Sequence, residues 1–306
     1  MRWPSCCNVA DVCVAAAEGI TMEQNKENYV GWRRLGFKKV DHTQQTPCKP
    51  TRFFDRMSYI GDHSVCCFLL ETPAGLVLVD CMWDSEHCLG LLEDGFAALG
   101  HSLSELKHIV ITHAHQDHWG HANMLRAKYG CKIYMSRIDN IYGKHPDQTP
   151  GRRELKAMDW DADVLLEDGE VLDFGGTRLQ CVLTPGHTPG CMSFIIDAED
   201  CGEPHKVLLW GGTAIMVWTD PDEYLASVDK FAAVCAKEQA DCYISNHPFV
   251  DLAYYKLDII NDIVDGVHNP FVATPDICQR YLDQFRKRAL EAKEQRRLHP
   301  EFKQML

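Results

Sequence analysis

Histidine and aspartate side chains are concentrated in one short stretch, ITHAHQDHWGH, residues 111–121. His113 and His115 follow an apolar run, and side chains two residues apart in extended backbone point to the same side. Asp117 and His118 come next, where we expect the chain to turn into a helix. Imidazole and carboxylate groups together suit Zn²⁺. Because one catalytic zinc needs only three protein ligands, the adjacent Asp117 and His118 suit a second ion.

Two histidines farther along the chain are candidates to complete such a site. His187 lies in TPGHTPG after the apolar run LQCVLT, and His247 lies in SNHP after CYIS. Both follow a predicted strand and precede a proline or glycine, so their side chains should project from loops into a cleft. A single histidine in a loop is usually a solvated surface residue. The pattern HxHxDH is much more specific, because chance rarely places these groups so close together.

The remaining histidines have weaker contexts. His121 is expected to be a spare that faces solvent or its helix neighbours. Seven others lie in polar or terminal stretches: His63, His101, His108, His145, His205, His268 and His299.

Composition limits the partners. The chain has 306 residues and a net charge of −13, without a block rich in Lys or Arg, so a nucleic acid partner is not expected. No stretch approaches the length of a membrane helix, so a membrane partner is not expected either. We expect a small-molecule substrate, and the sequence leaves the oligomeric state open.

The cysteines indicate the compartment. There are 15, an odd number without the spacing of a disulfide framework, which favours a reducing cytoplasm. The N-terminal stretch MRWPSCCNVADVCVAAAEGI is weakly signal-like, but Asp11 and Glu18 interrupt its apolar part. Secretion stays open as an alternative, and Met22 could be the true start.

Strand and helix patterns occur in both halves of the chain. Residues 1–50 should form an irregular N-terminal extension, and residues 51–306 a single domain that closes with a helix. Strands are predicted at RMSYIG, SVCCFLLET, LVLVD, HIVIT, KIYM, DVLLEDGEVLDFGGTRLQCVLT, CMSFIID, KVLLW and CYISN. Helices are predicted at SEHCLGLLEDGFAALG, HWGHANMLRAKYG, PDEYLASVDKFAAVCAKE, LAYYKLDIINDIVDGV and ICQRYLDQFRKRALEAKEQRRL. This order suggests an α+β fold with two packed sheets covered by helices, and periodicity alone leaves other mixed folds open.

The motifs THAHQDHWG, TPGHTPGCMSF and the late NHP resemble those of the metallo-β-lactamase superfamily, over roughly residues 55–280. The resemblance implies an αββα sandwich with a metal cleft along one sheet edge. It also implies two zinc ions, the first bound by His113, His115 and His187 and the second by Asp117, His118 and His247. Asp80, at the end of LVLVD, matches a residue that steadies the metal-ligand loop in that family; an aspartate that ends a strand and caps a turn is the alternative.

One departure from the family pattern is informative. Most superfamily hydrolases have an aspartate that bridges both metals after the strand that here reads VLLWGGTAI. The equivalent position here is Gly212 or Thr213, and neither is a bridging carboxylate. The chain is therefore most similar to the third subclass of metallo-β-lactamases, which lacks that aspartate.

The resemblance implies a mechanism. A hydroxide held between two zinc ions would attack the carbonyl of a cyclic amide or ester. Asp117 would be the catalytic residue, because it could orient the nucleophile and later transfer a proton. A β-lactam is the first named substrate. The alternatives are a lactonase or thioesterase-type hydrolase of a small metabolite, and a non-catalytic zinc-binding scaffold.

The groups that would contact the substrate are less well defined. Thr213 could offer a hydroxyl, Lys206 or Arg137 could reach the substrate, and the run from Ile215 to Trp218 should form an apolar lining. Tryptophan is more often a packing residue than a cleft residue, and both roles stay open for Trp83, Trp119 and Trp218. By resemblance, an exported protein could join Cys242 to Cys278 in a disulfide, whereas both should be free thiols in a cytosol.

Overall fold

The structure is a computed structural model that describes residues 45–145, 156–216, 218–262 and 268–298. The predicted N-terminal extension over residues 1–50 therefore lies outside the described residues up to residue 44.

Twelve strands are described, and each apolar run that was predicted to be a strand contains one. Their bounds are β1 Thr51–Phe54, β2 Met57–Gly61, β3 Cys66–Thr72, β4 Gly75–Val79, β5 Leu106–Val110, β6 Lys132–Ser136, β7 Val164–Leu166, β8 Val171–Asp173, β9 Arg178–Leu183, β10 Met192–Asp200, β11 Glu203–Leu209 and β12 Cys242–Ile244.

The strands form two sheets. The first has the order β1-β2-β3-β4-β5-β6-β7, antiparallel up to β4 and parallel from β4 onward. The second has the order β12-β11-β10-β9-β8, and only the β11–β12 pair in it is parallel.

The described helices lie between and after these strands. Their bounds are α1 Glu86–Ala98, α2 Gln116–Trp119, α3 Ala122–Tyr129, α4 Arg137–Tyr142, α5 Pro221–Glu238, α6 Pro248–Asp251, α7 Ala253–Asp262 and α8 Pro275–Leu298, with a short 3-10 helix at Leu103–Glu105.

Alternating side chains on the strands build the layers. In β3, Phe68 and Leu70 join the core between the two sheets, whereas Cys67 and Leu69 join the core under α1. In β10, Phe194 faces the inner core and the next residue faces the core formed with α5 and α8. Both faces of the central strands are buried, so their sequences are continuously apolar. The result is the predicted helix–sheet–sheet–helix sandwich.

The sequence prediction of one helix from His118 to Gly130 is wrong. The chain forms two short helices, α2 and α3, separated at Gly120 and His121. A Cβ at Gly120 would lie 2.2 Å from the backbone nitrogen of Asp84, so the break is where the helix packs directly on the loop after β4. Strand β1 and the short helices α4 and α6 carry too little periodicity to be predicted.

The described residues also bear on membrane association and on the state of two cysteines. None of their helices has the length and apolar character needed to cross a bilayer. Cys242 and Cys278 are buried free thiols.

Candidate metal centre

The candidate metal ligands all follow strands whose carboxyl ends meet at one edge of the sandwich. His113, His115 and His118 come after β5, His187 after β9, and His247 after β12. The two sheets are tied together at this edge, because Met192 at the start of β10 donates its N–H to the carbonyl of Thr112, 2.8 Å away. The loop side chains therefore converge at an edge where the two sheets are hydrogen-bonded to each other.

The first cluster consists of His113, His115 and His187, the three residues proposed above as ligands of a first zinc ion. One ligand atom from each lies within 4.8 Å of the other two. His113 Nε2 and His115 Nδ1 are 3.1 Å apart, and the ring centre of His187 lies 4.6 Å and 4.4 Å from those of His113 and His115. The structure thus brings together residues that are about 70 positions apart in the chain.

The second cluster consists of Asp117, His118 and His247, again with ligand atoms within 4.8 Å of one another. Asp117 Oδ2 lies 3.4 Å from His118 Nε2 and 3.7 Å from His247 Nε2. The ring centres of His113 and His118 are 4.0 Å apart, so the two clusters are adjacent.

Several imidazoles are held by one nitrogen, which leaves the other directed at its cluster. His187 Nδ1 donates to the carbonyl of Ala214 at 2.6 Å, and His247 Nδ1 donates to the carbonyl of Ser64 at 2.8 Å. Donation from Nδ1 makes Nε2 the lone-pair nitrogen of a neutral ring. This is how proteins orient histidines that bind metals. Three imidazoles in one cluster, and two with a carboxylate in the other, are donor sets that fit zinc.

Asp80 orients His118 and the loop that carries the first histidines. Its Oδ2 accepts a 2.7 Å hydrogen bond from His118 Nδ1 and one of 2.8 Å from Thr112 Oγ1, while Oδ1 accepts from the Thr112 N–H at 2.8 Å. Asn246 Nδ2, beside His247, donates to the same Oδ2 at 3.2 Å. The steadying interpretation of Asp80 therefore fits these contacts better than the turn-capping one.

A second buried carboxylate, Asp139, was not predicted from the sequence. Its Oδ2 accepts from the Ala114 N–H at 2.7 Å and from Thr188 Oγ1 at 2.6 Å, and its Oδ1 accepts from the Gly190 N–H at 2.7 Å. Asp139 is fully buried at the N-terminus of α4, where Ser136 caps the helix. Asp139 therefore connects the loop of Ala114 with the loop of Thr188 and Gly190, and these two loops carry the ligands of the first cluster.

The protonation states follow from burial and from the carboxylates. Burial lowers the pKa of His113 and lowers the pKa of His187 to about 3, so both rings are neutral near pH 7. Burial also acts to lower the pKa of His118, but the carboxylates of Asp117 and Asp80 outweigh it and raise that pKa to about 10. His118, His247 and His115 hold the pKa of Asp117 well below its usual range against the opposing effect of burial. In the second cluster, ionised Asp117 therefore lies beside protonated His118, and a metal ion that displaced the His118 proton would take over the pairing with the Asp117 carboxylate.

Of the two positions that could correspond to the family's bridging aspartate, Gly212 has no room for a side chain unless its neighbours shift. A Cβ at Gly212 would lie 2.4 Å from His187 Cβ and 2.9 Å from Cys191 Sγ. The next residue, Thr213, is buried and lines the cavity above the two clusters. No carboxylate of the described residues is shared between the clusters in the way a bridging ligand would be.

A cavity of about 530 Å³ opens over both clusters. Among the described residues, its lining consists of His115, Asp117, His187, Thr213, Ala214, Ile215, Met216, His247, Phe249, Val250 and Arg288. The apolar character expected after Gly212 is present, and Thr213 is where it was expected. Arg288 was not predicted to be there.

Other expected cleft residues lie elsewhere. Lys206 donates to Asp197 on the neighbouring strand, and Arg137 donates to Glu167, so neither reaches this cavity. Trp119 is buried and packs against Trp160. None of the three tryptophans considered from the sequence is among the described lining residues.

Two further histidines differ from expectation. His121 is buried, with 4% of its surface exposed, and its Nε2 lies 3.2 Å from the carbonyl of Ser85 at the start of α1, so it does not face solvent. His205 belongs to a third cluster, with Asp241 and Cys242, away from the cavity. The carboxylate of Asp241 already accepts from His205 Nδ1 at 2.7 Å and from the Lys206 N–H at 3.0 Å. These contacts join β11 to the residue that precedes β12.

Comparison with known sequences gives one consistent answer. Residues 60–201 match the sequence model of the metallo-beta-lactamase superfamily. The probable polyketide biosynthesis zinc-dependent hydrolase PksB of Bacillus subtilis is 30% identical over 131 residues, 42% of this chain and 49% of that protein. A hydroxyacylglutathione hydrolase of Rhodopseudomonas palustris is 28% identical over 154 residues, 46% of this chain and 52% of that protein. The chain spans about half the length of these two curated relatives.

Comparison with solved structures gives the same fold. The crystal structure of BJP-1, a subclass B3 metallo-beta-lactamase of Bradyrhizobium japonicum, superposes with a TM-score of 0.72 at 23% identity. The match covers 83% of this chain and 97% of that one, which confirms the predicted αββα sandwich.

Proposed function

Because residues 60–201 belong to the metallo-β-lactamase superfamily, we propose that the chain is a metal-dependent hydrolase that binds two zinc ions and cleaves a cyclic amide or ester. The observation that carries this proposal is the presence of two ligand clusters, His113/His115/His187 and Asp117/His118/His247, under a single cavity. A cavity of about 530 Å³ suits a small molecule.

Zinc bound at these clusters would lower the pKa of a coordinated water toward about 7 and would polarise a substrate carbonyl. Side chains of the protein would supply the proton transfer and the apolar surroundings of the reaction. Asp117 Oδ2 lies beside both histidines of the second cluster, where it can accept a hydrogen bond from an attacking water and pass on the proton that is released. Ile215, Met216 and Phe249 line the cavity and would exclude bulk water from the reacting carbonyl.

The reaction class has a first candidate and one alternative. A β-lactam ring is the first candidate, since the fold matches a subclass B3 metallo-beta-lactamase and the bridging aspartate is absent. A lactonase or thioesterase-type hydrolase of a small metabolite is the alternative, and a hydroxyacylglutathione hydrolase is among the relatives. A scaffold without catalysis is less favoured, since Asp117 and all six ligand side chains converge.

We also propose a cytoplasmic location, which the free thiols of the described cysteines support.

The test combines metal content with turnover. Mass spectrometry of the purified protein should find about two zinc ions per chain, and a chelator should remove both zinc and activity. Turnover should be measured on a chromogenic cephalosporin, an acyl homoserine lactone and a hydroxyacyl thioester of glutathione. His187→Ala and His247→Ala should each lose one zinc and at least about 100-fold in kcat/KM.

His101→Ala is the matched control, because His101 contacts Glu71 and Glu105 outside the metal cavity. It should keep both zinc ions and full turnover. A wild-type protein with two zinc ions and no activity on any of the three substrates would favour the scaffold. A protein that binds no zinc would refute the proposal.

A further inference from the structure

A second cavity lies at the edge of the sandwich opposite the candidate metal centre. His247 follows the carboxyl end of β12, whereas Asp241 immediately precedes Cys242, the first residue of that strand. Strand β11 runs parallel to β12, and His205 lies near its start. The cavity has a volume of about 600 Å³, and His205 and Asp241 belong to its wall. It shares no described lining residue with the cavity over the first two clusters.

The third cluster, His205, Asp241 and Cys242, opens into this second cavity. One ligand atom from each residue lies within 4.8 Å of the other two, the same limit that the first two clusters meet. His205 Nδ1 lies 2.7 Å from Asp241 Oδ2, and Cys242 Sγ lies 3.6 Å from Asp241 Oδ1. Imidazole nitrogen, carboxylate oxygen and thiolate sulfur are all ligands that zinc accepts. Three protein ligands leave one position of a tetrahedral zinc ion for water from the cavity.

The backbone holds two of these residues in place. The Asp241 N–H donates to the carbonyl of Lys206 at 3.1 Å, and the Asp241 carbonyl accepts from the Ala273 N–H at 2.8 Å. Cys242 is fully buried and pairs with Val207 in the parallel β11–β12 ladder. Because these ligands are already ordered, little conformational entropy would be lost when an ion binds.

The charges around the second cavity also favour a cation. Its described wall contains four carboxylates and two cationic side chains besides His205: Asp197, Glu199, Glu238 and Asp241 against Arg56 and Lys206. Lys206 Nζ donates to Asp197 at 2.5 Å, so its charge is directed at that carboxylate. The carboxylates outnumber the cationic groups, and a divalent ion would offset this excess of negative charge.

From this geometry we infer that His205, Asp241 and Cys242 bind a zinc ion, at a site separate from the two clusters proposed for catalysis. On binding, the proton on His205 Nδ1 would move to Nε2, so the ring stays neutral, and the thiol proton of Cys242 would be released to solvent. The ion would join the start of β11 to the start of β12. The inference does not depend on the proposed hydrolase.

Cobalt provides a direct readout of this site. A bond between Co²⁺ and a thiolate gives an intense near-ultraviolet charge-transfer band, which imidazole and carboxylate ligands do not give. The first two clusters contain no cysteine, so such a band marks an ion bound elsewhere. Because the Asp241 side chain is 25% exposed, against 15% for Asp117, the third ion should be lost more readily during purification. The test therefore adds Co²⁺ to the purified, zinc-loaded protein in the presence of a phosphine reductant.

Wild type should take up about one further ion per chain and show the thiolate band. Added Zn²⁺ should then abolish the band, because zinc binds such donor sets more tightly than cobalt. Cys242→Ser should lose the band, since its sulfur ligand is gone. His205→Ala should weaken Co²⁺ binding at this site by at least about 100-fold, because loss of a ligand costs more than loss of a supporting hydrogen bond. Both variants should keep the two zinc ions of the candidate metal centre, which would show that they fold.

Cys201→Ser is the matched control, because Cys201 is an exposed cysteine on the turn between β10 and β11 and is outside the third cluster. It should keep the band at full intensity. Absence of the band in wild type, or its persistence in Cys242→Ser, would refute the site. Unchanged Co²⁺ affinity in His205→Ala would refute it as well, and the side chain of His205 is 14% exposed, so this variant remains a test if Cys242→Ser does not fold. A band that excess Zn²⁺ did not abolish would exclude zinc as the ion.

Discussion

Thr188 donates a 2.6 Å hydrogen bond from Oγ1 to Oδ2 of Asp139, 49 residues away in the chain. The same carboxylate also accepts two backbone N–H groups, from Ala114 on one side and Gly190 on the other, each at 2.7 Å. Ala114 lies between two ligands of the first cluster, and Thr188 follows the third. Asp139 therefore sets the distance between the two loops on which this cluster depends.

Replacing Asp139 with Asn should weaken the first cluster. The amide group turns one acceptor into a donor, which must then face an N–H or hydroxyl that also donates. We expect zinc affinity at one of the two sites to fall by about 10–100-fold, and the free energy of unfolding to fall by about 1–3 kcal/mol. Competition with a chromophoric chelator and urea unfolding would measure the two effects.

Asp173→Asn is the control, because Asp173 also accepts a backbone N–H, from Gly176 at 2.7 Å, but is exposed and outside the metal edge. It should leave zinc affinity unchanged. Equal zinc affinity in the two variants would show that Asp139 does not position the cluster.

Sequence reasoning identified six candidate ligands because their signal is local. Four lie within His113–His118, and His187 and His247 each follow an apolar strand and precede a proline or a glycine-containing turn. The sheets were equally accessible, since strands buried on both faces are continuous apolar runs. The ligand motifs and the strands can each be recognised from a few adjacent residues.

Asp139 and Arg288 could not be found in the same way. The segment SRIDN around Asp139 looks like any capped helix start, and its partners are 25 to 51 residues away. Arg288 is one of five arginines in α8, and only the packing of that helix against α5 determines which one reaches the cavity. Their roles depend on tertiary contacts that no local pattern encodes.

Gly212→Ala should displace His187 and weaken zinc binding. An alanine Cβ would lie 2.4 Å from His187 Cβ, closer than two carbon atoms can approach, so the histidine or its loop must move. We expect a loss of about 2–3 kcal/mol in the free energy of unfolding from overpacking, together with loss of zinc from the first cluster. Zinc stoichiometry by mass spectrometry and urea unfolding would check this.

Gly90→Ala is its control, because Gly90 lies inside α1 and a Cβ there meets nothing within 4 Å among the described residues. It should stabilise the protein by up to about 1 kcal/mol through helix propensity and keep two zinc ions. A Gly212→Ala protein as stable and as rich in zinc as the control would contradict the steric argument.

Asp251 should make the stability of the fold depend on pH. It is buried, with 4% of its surface exposed, and its Oδ2 has no hydrogen-bond partner among the described residues. Burial raises its pKa to about 6, while the nearby ammonium group of Lys256 opposes that rise. Tyr254, Tyr281 and Cys66 also face this region, and burial raises the pKa of each, so they stay neutral near pH 7.

A raised pKa means that the folded protein holds this proton more tightly than the unfolded chain, whose aspartates titrate near 3.9. The stability contributed by protonated Asp251 is fully present below about pH 4 and is lost as pH rises through about 6. An asparagine at position 251 does not titrate, so the variant does not lose this stability as the pH rises. Its free energy of unfolding should therefore increase relative to that of wild type by about 1 kcal/mol between pH 5 and pH 8. Urea unfolding of both proteins with chelator present, which removes the pH dependence of metal binding, would measure the difference.

Asp258→Asn, an exposed change on α7, should differ from wild type by the same amount at both pH values. If Asp251→Asn behaved like that control, the carboxyl group would not be the source of the pH dependence.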